Sequence, residues 1–397
     1  MKKRVLAFVL LLSLVTFAGC FKKPAEEIKK DPYTEKKEEV KKIVEEKATN
    51  DAVEEILGKM TLEEKVYQML FVQPEDITKV GEVYSAGDAT KEAIKKYPVG
   101  GIIYFKPNLK NREQTIEMIS NTQSYSKIPL FISVDEEGGL VSRLGANPEM
   151  GTTKHPAMAE IGETKEPQKA YDVGVTLGKE LKELGFNVDF APVADVLVIK
   201  DNTEIGSRSF GYDAENVSLM VENLVKGLEE NGVSATLKHF PGAGAVTGDS
   251  HEKPTESNRT IEEIRKTELR PFKAGIDAGA DFVMISHMKL MNATKEQLPS
   301  SLSEEVIQKM LKEELGFGGI VITDSLRMNA VSNIYTPAQI GVMCVNAGID
   351  MILMPADFEA THAAIVDAVK NGEITEERIN ESVRKILALK IKKGLWK

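Results

Sequence analysis

Gly232-Val233-Ser234-Ala235-Thr236-Leu237-Lys238-His239-Phe240-Pro241-Gly242-Ala243-Gly244 is the stretch on which the fold is decided. Its first six residues are small or apolar and read as a buried strand. Lys238 and His239 come where that strand runs out, and the proline and glycines after them begin a loop. Polar, chemically capable side chains at the end of a buried strand are the signature of a parallel α/β protein with its chemistry at the C-terminal ends of the strands. Shortly downstream, Asp249-Ser250-His251 puts a carboxylate beside an imidazole, the pairing that proton transfer near neutral pH needs. The same pattern on a polar loop also reads as an exposed pair with no role.

Outward from this strand the pattern repeats. Short runs rich in Val, Ile and Phe occur near residues 68–73, 100–105, 129–134, 187–193, 233–238, 281–286, 319–323 and 349–354, separated by longer amphipathic segments. That alternation predicts βα units and a parallel sheet. Several runs end in polar residues: Asp135 to Gly139, Asp195, Lys238 with His239, His287 and Asp324. Eight strands with such ends predict a (β/α)8 TIM barrel. Helices are expected over Ile261 to Ile276 and Leu302 to Leu315, the second with Ser303 as N-cap and Gly316 as stop, and a basic amphipathic helix within Ile374 to Leu395 closes the barrel. The 397-residue chain, 42% hydrophobic, is long enough for one large barrel, which is expected over residues 51–397.

The first fifty residues differ. Lys2, Lys3 and Arg4 precede an apolar run from Val5 to Val15 that is too short to span a bilayer, so residues 1–19 read as a secretory signal. Ala18-Gly19-Cys20 resembles the bacterial lipobox, with Phe17 in place of the commoner aliphatic residue. Cys20 is the expected lipidation site, and attachment to the outer face of the bacterial cytoplasmic membrane is the expected localisation. Residues 20–50, rich in Lys, Glu and Pro, then form a charged tether. The formal net charge is −10; the only charges in residues 1–19 are Lys2, Lys3 and Arg4, so the chain after them carries −13. That balance argues against a nucleic-acid partner. With Cys20 acylated, Cys344 is left alone and no disulfide framework is expected.

Three further segments carry candidate chemistry. Gly319 to Thr323 followed by Asp324-Ser325-Leu326 puts a carboxylate where it attacks or stabilises an electron-poor carbon, or else caps a helix. Asp135-Glu136-Glu137-Gly138-Gly139 with Arg143 suits a polyhydroxylated ligand; it lacks the alternating oxygen spacing of a calcium loop. Ser207-Arg208-Ser209-Phe210-Gly211 is a polar loop with one cation, alternatively an ordinary surface arginine. His155, His287 and His362 read first as structural, with His287 at a strand end that can face the pocket. No histidine pair has zinc-protease spacing, so neither a catalytic metal nor a cofactor is expected.

Taken in order, these motifs together with Thr323-Asp324-Ser325-Leu326-x-Met328 resemble family 3 glycoside hydrolases, in the β-N-acetylglucosaminidase branch. The resemblance implies a barrel that removes terminal β-linked N-acetylglucosamine from cell-wall fragments with retention of configuration. It implies Asp324 as nucleophile, His251 as acid/base oriented by Asp249, and Asp135, Arg143, Arg208, Lys238 and His239 as residues that hold the sugar. The partners it implies are a small saccharide and, through the lipid, a membrane; a monomer is expected.

The chain departs from the family pattern where Lys-His-Phe-Pro-Gly is followed by Ala243-Gly244-Ala245-Val246 in place of His-Gly-Asp-Thr. Those lost groups would order the catalytic loop or line its hinge. Many exported relatives also carry a further α/β domain after the barrel, whereas here the barrel's closing helix is the last element expected. The rival readings are a β-glucosidase or β-xylosidase of the same family, a phosphorylase, and a sugar-binding lipoprotein whose catalysis has lapsed.

Overall fold

The computed structural model describes residues 46–246, 248 and 254–396. Residues 49–397 form one compact unit. The signal, Cys20, the tether up to residue 45, Asp249 and His251 lie outside the described residues.

Eight strands make the central sheet: β1 (Leu70–Val72), β2 (Gly101–Ile103), β3 (Phe131–Val134), β4 (Val188–Asp189), β5 (Ser234–Phe240), β7 (Phe282–Ile285), β9 (Ile320–Thr323) and β10 (Ile352–Leu353). Seven fall within the predicted apolar runs, and β5 continues two residues beyond its run, through His239 to Phe240. They are parallel, in the order β10-β1-β2-β3-β4-β5-β7-β9. The two ends of that order meet through the parallel bridge Ile322↔Met351 and the bonds from Asp350 N to Val321 O (2.8 Å) and from Thr323 N to Met351 O (3.1 Å), so the sheet closes into a (β/α)8 barrel.

Every residue of these strands is buried, which is why they read as continuous apolar runs rather than alternating ones. Aromatic side chains fill the interior, with ring pairs Phe71–Phe190 at 5.5 Å and Phe131–Phe282 at 5.3 Å. Outside, helices Pro167–Leu184 and Ala214–Glu230 approach closely because both carry glycine at the crossing. A Cβ on Gly174 would lie 2.4 Å from Leu224 O.

The seam between β9 and β10 is pinned from the closing helix, Glu376–Lys392. Buried Asp350 accepts from Val321 N (3.1 Å), Ser382 Oγ (2.7 Å) and Lys385 Nζ (3.0 Å). This fixes the strand that delivers Asp324.

Three features depart from these expectations. The helix expected over Ile261 to Ile276 is broken into Ile261–Lys266 and Leu269–Asp277, because Glu268 turns inward at the break to pair with Arg259. A second sheet, not foreseen, pairs β6 (Glu256–Thr260) with β8 (Lys289–Asn292) in parallel. The sequence Glu-Ser-Asn-Arg-Thr has no apolar pattern, so its pairing comes from backbone bonds. The helix expected from Leu302 is wound more widely over Glu305–Glu314, with Ser303 Oγ accepting from Val306 N at 3.3 Å and Gly316 at φ 72° after its end.

Candidate active site

At the C-terminal ends of the strands lies a cavity of about 360 Å³. Asp135, Arg143, Arg208, Lys238, His239 and Asp324 all line it, so six of the eight residues singled out as catalytic or sugar-holding converge. The other two, Asp249 and His251, are outside the described residues.

The end of β5 supplies the hub. Lys238 is 3% exposed and its Nζ bonds Asp135 Oδ1 at 2.8 Å and Glu137 Oε1 at 2.6 Å. Arg208 grips the same Glu137 with two parallel bonds, Nε to Oε2 and Nη2 to Oε1, both 2.8 Å. Burial alone would raise the Glu137 carboxyl, but the Lys238 and Arg208 charges outweigh it and hold it down at about 2. The partners respond in kind: burial works against the charges on Lys238 and Arg208, yet the carboxylates facing them raise both. Two cations and two carboxylates are thereby locked into one network, leaving Asp135 partly exposed to the cavity at 17%.

Glu136 does different work from its neighbours. Its carboxylate turns away from the cavity and accepts from Ser142 Oγ (2.5 Å) and from the amides of Arg143 (2.7 Å), Leu144 (2.8 Å) and Gly145 (3.2 Å). It folds the loop that brings Arg143 to the cavity, where the Arg143 guanidinium lies 3.9 Å from Asp135 Oδ2. Below, Asp189 Oδ1 accepts from Glu136 N at 3.0 Å, and burial pushes the Asp189 carboxyl well above its usual range.

His239 is held on both ring nitrogens. Nδ1 lies 2.7 Å from Asp195 Oδ2, and Nε2 lies 3.2 Å from Arg208 Nη2. A guanidinium only donates, so Nε2 must accept and the ring hydrogen resides on Nδ1, pointing at Asp195. Asp195 also accepts from His239 N (3.1 Å) and Ala243 N (2.6 Å), while its own carbonyl accepts from Ser209 Oγ (2.6 Å). One buried carboxylate thus joins the β5 end to the start of the following loop.

That loop start answers the departure noted in the sequence. Ala243, Ala245 and Val246 are all buried. Asn202 Nδ2 donates to Ala243 O (2.7 Å) and Val246 O (3.0 Å), and Gly244 O accepts from the amides of Val198 and Ile199, both at 3.1 Å. Only glycine fits there, since a Cβ on Gly244 would sit 2.0 Å from Val196 O. Apolar burial and backbone bonds order residues 243–246 where the family pattern has polar side chains.

Asp324 leaves β9 with its amide donating to Ile285 O (2.9 Å) and its Oδ1 accepting from Ser325 N (2.7 Å). Burial would raise its carboxyl; His239, His287, the Ser325 amide and Lys238 overrule this, and it stays below the usual carboxylate range. His287 Nε2 bonds Ser325 O at 3.0 Å and Nδ1 bonds Ser301 Oγ at 2.8 Å, so it steadies the turn that carries Asp324. His362 is structural, as expected: it stacks on Tyr67 with ring centres 3.7 Å apart. Among the described residues, no group of three or more His, Cys, Asp or Glu side chains is arranged to hold a metal ion.

Sequence reasoning named Asp195 and Glu137 only in passing. The signals available were the position of Asp195 at a predicted strand end and the two-residue spacing that puts Glu137 on the side of Asp135.

Residues 61–389 match the model of the glycosyl hydrolase family 3 N-terminal domain. The chain belongs to glycosyl hydrolase family 3. It is 33% identical to Beta-hexosaminidase A of Pseudoalteromonas piscicida over 334 residues, 76% of this chain and 54% of that one. It is 30% identical to Beta-N-acetylglucosaminidase/beta-glucosidase of Cellulomonas fimi over 306 residues, 75% of this chain and 53% of that one. The chain therefore spans about half the length of these two curated relatives. Among solved structures, a glycoside hydrolase family 3 beta-N-acetylglucosaminidase from Paenibacillus sp. str. FPU-7 superposes with a TM-score of 0.79 at 37% identity, covering 85% of this chain and 63% of that one. The cavity brings Asp135, Arg143, Arg208, Lys238, His239 and Asp324 together at the barrel mouth.

Proposed function

We propose that this family 3 protein is a retaining, exo-acting β-N-acetylglucosaminidase. The observation that carries the reading is Asp324: a carboxylate kept ionised at the edge of a cavity whose other wall is the Asp135–Lys238–Glu137–Arg208 network. An ionised carboxylate lining a cavity that also holds this charged network is suited to attack the anomeric carbon of a bound sugar.

In the first step Asp324 forms a bond to the anomeric carbon as the glycosidic C–O bond breaks, and the departing oxygen takes a proton. On the family resemblance the donor is His251, oriented by Asp249. Water then attacks the anomeric carbon, returns its proton to the same base and frees Asp324. Two inversions leave the β configuration unchanged. Asp135, Arg143, Arg208, Lys238 and His239 bind the sugar hydroxyls and acetamido group, and their mutual bonds keep the donors fixed before substrate arrives.

Hydrolysis of para-nitrophenyl N-acetyl-β-glucosaminide, beside the matching glucoside, tests the reading. Turnover of the first that is lost in Asp324→Ala supports it; binding of N-acetylglucosamine with turnover of neither contradicts it and favours a sugar-binding protein. A preference for the glucoside would support the second reading, a β-glucosidase, which the double name of the Cellulomonas fimi relative brings forward. Fragments of peptidoglycan are the proposed natural substrates, tested by release of N-acetylglucosamine from muropeptides. Acylation at Cys20 is proposed from the leader sequence. Cys20→Ser should move the protein from the membrane to the soluble fraction, and an unchanged distribution would contradict it.

A further inference from the structure

Asp189, the last residue of β4, is 0% exposed. Its partners across the sheet are Val134 on β3 and Ala235 on β5. These stand one and three residues from Asp135 and Lys238, which line the cavity, so by the alternation of a strand Asp189 points the other way, toward the helices. Phe190, the next residue, lines the cavity, in keeping with that direction. The helices before and after β4, Pro167–Leu184 and Ala214–Glu230, bury only Ala, Val, Gly, Leu and Met side chains. Asp189 is therefore an acid in an apolar layer behind the sheet.

Among the described residues its carboxyl has one hydrogen-bond partner: Oδ1 accepts from Glu136 N at 3.0 Å, and buried Oδ2 has none. The charged groups that act on it are Glu136 and Asp135 from the β3 exit and Lys238 from β5. Lys238 Nζ is committed to Asp135 and Glu137, at 2.8 and 2.6 Å. A buried carboxyl with one N–H, no cation bonded to it and two carboxylates nearby is held in its neutral, protonated form. Burial is the largest influence and raises the carboxyl well above its ordinary range; Glu136 and Asp135 add to this, while the Glu136 amide and Lys238 oppose it.

The one bond falls where the strands part. Phe190 N donates to Val134 O at 3.0 Å, and the main-chain pairing of β3 with β4 ends there. Asp189 Oδ1 takes the next N–H, that of the peptide joining Asp135 to Glu136. On one side of this peptide Asp135 turns to Lys238 and the cavity; on the other Glu136 folds the loop that carries Arg143.

We infer that Asp189 is a positioning residue for the sugar site, an uncharged acid behind the sheet that fixes the Asp135–Glu136 peptide and with it the Asp135 carboxylate in the cavity. The inference rests on the proposed glycosidase reading and adds to it a group that does not meet the substrate. Ionised, Asp189 would repel Glu136 and Asp135 and loosen the β3 exit; neutral, it holds that exit in place.

The test compares Asp189→Asn, whose amide copies the neutral acid in shape and keeps an oxygen for Glu136 N, with Asp189→Ala, which removes the acceptor. On para-nitrophenyl N-acetyl-β-glucosaminide, Asp189→Asn should stay within about twofold of the wild type in kcat/KM, and Asp189→Ala should raise KM about tenfold with a smaller change in kcat. Urea unfolding reads the charge state separately. The unfolded chain releases the Asp189 proton near the ordinary 3.8 whereas the folded chain keeps it, so as pH rises from 3.8 toward neutrality the wild type should lose stability relative to Asp189→Asn. If Asp189→Ala fails to fold, the two Asp189→Asn measurements decide alone. A KM raised about tenfold in Asp189→Asn, an Asp189→Ala enzyme with unchanged KM, or a difference in urea midpoint that does not vary with pH overturns the inference and leaves the glycosidase reading standing. No turnover of any aryl N-acetylglucosaminide by the wild type would instead remove the glycosidase reading, and the inference with it.

Discussion

Asp195 receives the Nδ1 hydrogen of His239 at 2.7 Å while Arg208 occupies the opposite ring nitrogen at 3.2 Å. The imidazole is therefore fixed in tautomer and in plane before any sugar arrives. Asp195→Asn offers an amide where the carboxylate stood and no longer dictates which ring nitrogen carries the hydrogen. The expected outcome is a fall in kcat/KM of about a hundredfold, corresponding to roughly 3 kcal/mol of lost transition-state stabilisation. Nitrogen NMR should report Nδ1 as the protonated position in the wild type and a mixture in the variant. An unchanged tautomer with unchanged kinetics would show that the contact is only structural.

Glu137 is the anionic centre between Lys238 and Arg208, and its removal leaves two buried cations with less compensation. Glu137→Gln should destabilise the fold by about 3–5 kcal/mol, as breaking buried pairs does, measured by urea unfolding at neutral pH. Its pKa gives a second check. A carboxyl held at about 2 in the folded chain, against an ordinary value of 4.5, contributes stability that is fully present above 4.5 and lost as pH falls toward 2. Glu137→Gln should lose less stability over that window than the wild type does.

Asn202 tests how the loop start is ordered. Its side-chain amide holds Ala243 O and Val246 O, so Asn202→Ala leaves two buried carbonyls unsatisfied and should cost about 2–4 kcal/mol. Because the same segment leads toward Asp249 and His251, kcat should drop more than KM rises. Thermal unfolding and steady-state kinetics on one preparation separate the two effects. A stability loss without a change in kcat would confine Asn202 to the fold.

Asp324 sets an expectation for pH. Its carboxyl is held below the ordinary 3.8, so it stays ionised through neutral and mildly acidic solution. The acid limb of kcat/KM that belongs to the nucleophile should therefore appear only below 3.8. If a limb near neutrality were abolished by any change that leaves Asp324 ionised, it would belong to another group.

The barrel was legible because fully buried parallel strands give uninterrupted apolar runs, and all eight were visible as such. The pair β6 and β8 was not, since Glu256 to Thr260 alternates between exposed and buried without an apolar face. The helix break at Thr267 and Glu268 had one signal in the sequence, Pro271, which lacks the N–H needed to continue the preceding turn; the pairing of Glu268 with Arg259, nine residues earlier, was not visible there. Within the site, Asp135, Arg143, Arg208, Lys238, His239 and Asp324 were readable from motifs, but their bonding was not. Asp135, Glu136 and Glu137 look alike in sequence and diverge in space: Asp135 and Glu137 meet Lys238, while Glu136 folds its own loop.

The most direct test of the account is covalent capture of the nucleophile. A fluorinated N-acetylglucosaminyl fluoride, chosen so that the glycosyl enzyme forms faster than water releases it, would be incubated with the protein and the digest analysed by mass spectrometry. The account predicts one glycosyl adduct on the peptide containing Asp324, absent from Asp324→Ala. Turnover of substrate with no adduct and an inverted product, or an adduct on a different carboxylate, would contradict it.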